Sequence, residues 1–96
     1  MDIKKLDKPG FDLEIDNETK IGLESKVILY NDDWHSFEEV ITQLMKATAC
    51  TFEQARDYAF EVHVKGQSVV FNGSMTNCLK VSSVLEEIAL LTQIVT

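Results

Sequence analysis

Three acceptor side chains in a row, Asn31, Asp32 and Asp33, close the apolar run Val27-Ile28-Leu29-Tyr30, and Trp34 leads on toward a helix start. An amide oxygen and two carboxylates gathered at the end of a strand have the chemistry to hold a cation through charge-assisted hydrogen bonds. The same residue types also serve ordinary turns, because Asn and Asp side chains bond their own backbone and tolerate unusual dihedrals. A second landmark is His63, which precedes Val64-Lys65-Gly66 at the end of an amphipathic segment. A neutral imidazole there supplies one more acceptor, whereas a protonated one suits the dipole at a helix C-terminus as a plain cap residue.

The elements that must position these residues are well marked. Val27 to Tyr30 is rich in β-formers and predicts a short buried strand. Ser36-Phe37-Glu38-Glu39 has the form of a capping box and starts a first helix. Phe37, Val40, Ile41, Leu44 and Met45 then share one face, leaving Glu38, Glu39, Thr42 and Gln43 toward water. Thr51-Phe52-Glu53-Gln54 repeats the cap, and Phe52, Ala55, Ala59 and Val62 form the inward face of a second helix that Gly66 can end. His63 therefore falls in its last turn. Gln67 to Phe71 reads as the next strand, closed by Asn72-Gly73. Ser74 begins a third helix presenting Leu79, Val81, Leu85 and Ile88, and Leu91, Ile94 and Val95 suit a final short strand. A one-residue slip would exchange the faces of Leu90 and Leu91. The order β-α-α-β-α-β implies an α+β sandwich, with three helices on one face of a three-stranded antiparallel sheet, because strands this short do not cover both sides of a core.

Composition sets the frame. A chain of 96 residues with a 45% hydrophobic share supports one small core. The formal charge of -7 argues against a nucleic-acid binder, which needs a basic face for phosphates, and suits a positively charged partner. Cys50 and Cys78 lack CxxC spacing and read as reduced thiols packed as small apolar groups, so neither a disulfide, a metal nor a cofactor is expected. No segment has the apolar length of a signal peptide or a membrane span, and a cytoplasmic monomer is the expectation. Residues 1–25 are charged, contain the single Pro and offer few apolar groups, which predicts a flexible arm ahead of a core domain at 26–96. The alternation in Phe11-Asp12-Leu13-Glu14-Ile15, continued by Ile21 and Leu23, leaves an added strand or hairpin open.

From Lys26 to Val95 the chain resembles the ClpS family, adaptors that deliver N-degron substrates to Clp proteases. The resemblance is carried by Lys26-Val27-Ile28-Leu29-Tyr30-Asn31-Asp32-Asp33 and by Glu61-Val62-His63-Val64-Lys65-Gly66, at this separation and with this order of elements between them. It implies that Asn31, Asp32 and His63 receive the three N–H donors of a free α-ammonium group, with Asp33 ordering the turn or bonding the first peptide group. It also implies a side-chain pocket made by Phe37, Val40, Ala59, Val62 and Leu90, filled by a large first residue such as Leu, Phe, Tyr or Trp. Protonation of His63 would then oppose binding in acid. Lys80 matches a position that docks on the N-terminal domain of a Clp AAA+ unfoldase, ClpA- or ClpC-like, and the arm would be engaged by the unfoldase during handover.

Four positions depart from the family pattern. Phe37 stands where a Met is common, and its bulk implies exclusion of β-branched Ile and Val. Ala59 replaces a larger residue, His35 a small hydroxyl residue, and Met75 an acidic one. At His35 the ring either bonds the ligand backbone or is simply solvated. The ClpS-like architecture is shared with the C-terminal domain of the ribosomal stalk protein, so fold does not settle function. Two alternatives follow. One is an interaction domain on the same scaffold with lost or altered first-residue recognition. The other is a metalloenzyme built on Asp32, Asp33, His35 and His63, which no HExxH, CxxC or phosphate-loop motif supports.

Overall fold

The computed structural model describes residues 24–96. Strict alternation builds its sheet: in β1 (Ser25–Tyr30), Ser25, Val27 and Leu29 are buried while Lys26 faces solvent. β1 is the central strand, flanked by β2 (Gln67–Gly73) and β3 (Thr92–Val95), and both pairings are antiparallel. The β1–β2 register shifts between Val27 and Ile28, whose partners are Phe71 and Val69. Val70 and Phe71 thus stand against Val27, a bulge that turns both toward the core.

The helices are α1 (Phe37–Thr48), α2 (Phe52–Lys65) and α3 (Met75–Glu86). Both capping boxes form: Ser36 Oγ accepts from the Glu39 amide at 3.1 Å and Glu39 Oε1 from the Ser36 amide at 2.8 Å, with Thr51 and Gln54 repeating the exchange. Caps of this kind are worth about 1 kcal/mol each. α3 packs on all three strands and α2 on β2, while α1 packs on α2 and α3. Leu29, Leu44 and Leu85 lie fully buried between these layers with Val27 and Cys78. The element order β-α-α-β-α-β and the α+β sandwich are as the sequence predicts.

Details of the faces differ. Gln43, assigned to water, is buried, because α1 is covered by two helices and its Nε2 donates to the Val84 carbonyl at 2.6 Å and to Glu87 Oε1 at 3.3 Å. Phe52, Met45 and Leu79, assigned inward, are among the exposed large apolar residues. The buried face of α3 uses Val81 and Leu85 as expected, with Cys78 and Ser82 in place of Leu79, and Ser82 Oγ reaches Thr92 Oγ1 at 2.7 Å. Leu90 is buried and Leu91 is 63% exposed, which decides their faces, and β3 begins only at Thr92. The strand takes in Ser25, the last residue of the expected arm; the rest of that arm up to residue 23, including Phe11–Ile15, lies outside the described residues. Both cysteines are free, with Cys78 buried. Among the described residues no helix is long and apolar enough to cross a membrane.

Candidate functional site

Two long-range bonds fix the loop between β1 and α1. Its first residue, Asn31, donates its amide to the Gly66 carbonyl at 2.9 Å, which binds the loop to the end of α2. Gly66 can serve there because its φ of 89° lies in the left-handed region that a side chain disfavours, and its own amide closes α2 on the Val62 carbonyl at 2.8 Å. His63, one turn earlier, is exposed beside the loop.

The second bond runs to the end of α3. His35 Nε2 lies 2.5 Å from the Ile88 carbonyl oxygen, and His35 Nδ1 lies 2.6 Å from Asp32 Oδ2. The ring is only 3% exposed within an otherwise exposed loop. Both partners are acceptors, so both ring nitrogens must donate, and only the imidazolium can do that. Burial is the largest influence on this ring and works against its charge. The bonds to Asp32 and to the Ile88 carbonyl, with the nearby Asp32 and Glu39 charges, outweigh it and raise the His35 pKa. Trp34 lies against the ring with centroids 3.9 Å apart, close enough for its π face to favour the cation.

Asp32 organises the turn. Its Oδ1 accepts from the Trp34 amide at 3.1 Å and the His35 amide at 2.8 Å, and Oδ2 takes the imidazole. Desolvation is again the largest influence and raises its pKa, but the bonds from the His35 amide, the His35 ring and the Trp34 amide together bring it below the usual carboxylate value. A carboxylate offers about four lone-pair positions, so three internal donors leave roughly one for a ligand. The side chains of Asn31, Asp33 and His63 have no hydrogen-bond partner among the described residues.

These groups open on one groove of about 350 Å³. Asn31, Asp32, Asp33, His35, Ser36 and His63 give it polar walls, while Phe37, Val40, Ala59, Val62 and Leu90 give it apolar ones. Every residue that the sequence placed at an ammonium corner or a side-chain pocket is therefore in the same cavity, drawn from the loop, α1, α2 and the α3–β3 connection. Lys80 is not; it is exposed on α3. The groove also takes in Leu29, Tyr30 and Ser36, which sequence reasoning did not assign to it. For Tyr30 the signal was available, since it ends the strand directly before Asn31. Of the two readings open for His35, a solvated ring is not what the structure has, because a carbonyl 53 positions away in sequence receives it. Phe37 is 39% exposed and lines both this groove and a second, apolar one of about 290 Å³ shared with Ile41, Met45, Phe52 and Arg56. Among the described residues no group of three or more His, Cys, Asp or Glu side chains could hold a metal ion.

Fold and groove define a small α+β binding module: a packed sandwich presenting one cleft with hydrogen-bond acceptors and apolar walls side by side. The chain belongs to the ClpS family, whose model, described as ATP-dependent Clp protease adaptor protein ClpS, matches residues 23–92. The family is one of adaptors rather than catalysts. The fold is similar to that of Agrobacterium tumefaciens ClpS2 bound to L-phenylalaninamide, with a TM-score of 0.67 and 22% identity over 74% of this chain and 93% of that one. In sequence the chain is 39% identical over 67 residues to the E3 ubiquitin-protein ligase ubr-1 of Caenorhabditis elegans and 36% identical over 58 residues to the E3 ubiquitin-protein ligase UBR2 of Homo sapiens. Those matches cover 70% and 60% of this chain but only 3% of either ligase.

Proposed function

We propose that this protein is an N-degron receptor that captures the free amino-terminal residue of a substrate and hands it to a Clp AAA+ unfoldase for degradation. The observation that carries the reading is the single groove in which free acceptors stand beside an apolar pocket. An amino-terminal residue needs that combination, because its ammonium and its side chain leave the same carbon. Asn31 Oδ1, the remaining lone pair of Asp32 and a ring nitrogen of His63 meet the three N–H donors, and Asp33 adds negative charge at the mouth. The first side chain lies against Phe37, Val40, Ala59, Val62 and Leu90. The ligand named with the similar structure, phenylalaninamide, has this pair of features: a free α-amino group and a large apolar side chain. Lys80, exposed on α3, serves the unfoldase N-terminal domain, and substrate is bound without catalysis.

A second reading is favoured by Phe37, Ala59 and His35, which depart from the family pattern: an interaction domain on the same scaffold with altered first-residue recognition. Anisotropy titrations with peptides differing only in the first residue separate the two. Preference for Leu, Phe, Tyr or Trp over Ala supports the receptor, and indifference to the first residue supports the interaction domain.

A further inference from the structure

The groove has two halves that must keep a set distance, since the ammonium and the first side chain of a ligand are joined through one carbon. The polar half hangs on a loop that is mostly exposed, and the apolar half includes Leu90, which follows α3 in a connecting turn. That turn holds a strained residue, Ala89 at φ 64°, and its geometry is set by the Ala89 amide on the Glu86 carbonyl at 2.9 Å and the Leu90 amide on the Leu85 carbonyl at 3.3 Å. The Ile88 carbonyl, the peptide group directly before Ala89, points its oxygen at His35. One buried side chain therefore touches both halves, Asp32 through Nδ1 and the base of Leu90's turn through Nε2.

We propose that His35 is the positioning residue of this site, tying the loop that carries Asp32 to the Ile88 carbonyl through Nε2 and so setting how deep the pocket is behind the ammonium corner and which first residues fit it; the Asp32 bond at Nδ1 orients the ring, and the loop itself is already held to Asp32 by the His35 backbone amide. This rests on the reading of the groove as an amino-terminal-residue receptor. His35 needs no contact with the ligand for the purpose; its nitrogens are already engaged on both sides. It acts through Leu90, two residues beyond the carbonyl it holds and buried at the pocket wall.

The two bonds can be tested apart. An Asn carboxamide reaches about as far as Nδ1 and a Gln carboxamide about as far as Nε2, so His35→Asn keeps the Asp32 bond and His35→Gln keeps the Ile88 bond. Affinities of each variant for fluorescent peptides beginning with Leu and with Ala give the discrimination ratio. The expected result is a ratio about tenfold lower in His35→Asn, the scale of one buried hydrogen bond, and a ratio close to wild type in His35→Gln. Thermal melts of both variants accompany the titrations, because a residue that merely stabilises the fold would lower the ratio in step with melting temperature in both. Equal ratios in the two variants, whether unchanged or equally reduced, overturn the proposal while leaving the receptor reading in place. Failure of the wild type to distinguish a free from an acetylated amino end overturns both.

Discussion

The amide of Asn31 donates to the carbonyl of Gly66 at 2.9 Å, and this bond joins the loop after β1 to the helix end that carries His63. Residues more than thirty positions apart are thereby placed around one groove without requiring their side chains to meet. The side chains of Asn31 and His63 have no partner among the described residues, because a backbone bond joins the two ends that carry them. Such preorganisation lowers the entropy that a ligand would otherwise have to offset.

Phe37 lines both the groove of the candidate site and the apolar groove beside it. Replacing it with Ala should merge the two spaces. Peptides beginning with Ile or Val, which the family resemblance implies the ring excludes, are then expected to bind within about a hundredfold of a Leu peptide, since a pocket distinguishes similar apolar groups by only about 1–3 kcal/mol. Binding of an Ile peptide as tight as a Leu peptide in the wild type would remove the gate.

The Asp32–His35 pair gives the loop a pH window with two edges. His35 has a raised pKa in the folded protein, so its stabilising contribution is complete below the ordinary value of 6.5 and is lost as pH rises through the folded value. Asp32 has a lowered pKa, so its contribution is present above 3.8 and is lost as pH falls through the folded value. Melting temperature should therefore decline from pH 6.5 into alkali more steeply in the wild type than in His35→Gln. Parallel profiles would show that the ring carries no charge in the fold. Emission from Trp34, the single tryptophan and in contact with the ring, offers a local report of the same transition.

Ala49 and Ala89 both take positive φ, at 59° and 64°, where the L side chain is crowded. Left-handed backbone costs a non-Gly residue about 1–2 kcal/mol, and Gly gives back part of that through the greater freedom of its unfolded chain. Ala49→Gly, at the end of α1 and away from the groove, should stabilise by about 0.5–1 kcal/mol in urea unfolding without changing peptide affinity. A loss of stability would mean that the Ala49 methyl is packed usefully.

The strand begins at Ser25, and among the described residues those that line the groove all follow it. Removing residues 1–23 should leave the affinity for a Leu peptide within about twofold, a change of less than 0.5 kcal/mol. Delivery of a substrate to the unfoldase is expected to fall strongly, since the arm is assigned to handover. Full delivery by the shortened chain would shift that role to the core.

Much of this site was readable because its residues announce their own positions. Two capping boxes and Gly66 fix where the helices start and stop, and those limits place Asn31 and His63 at adjoining ends. What escaped were residues whose environment comes from elsewhere in the chain. Gln43 looks like a solvent residue until the Val84 carbonyl arrives across α3. Leu79 fits an inward stripe by character, but α3 lies close on the sheet and turns its small residues, Cys78 and Ser82, toward it. His35 depends on the Ile88 carbonyl, a contact that no local pattern encodes.

The central claim, that the Asn31 and His63 corner receives a free α-ammonium group, is tested most directly by comparing a Leu-initiated fluorescent peptide with its acetylated twin, in the wild type and in Asn31→Ala. Acetylation removes the charge and two of the three donors, so the expected result is a loss of about a hundredfold or more in the wild type, matching two charge-assisted hydrogen bonds, and a much smaller difference in Asn31→Ala. Equal binding of the free and acetylated peptides by the wild type would contradict it.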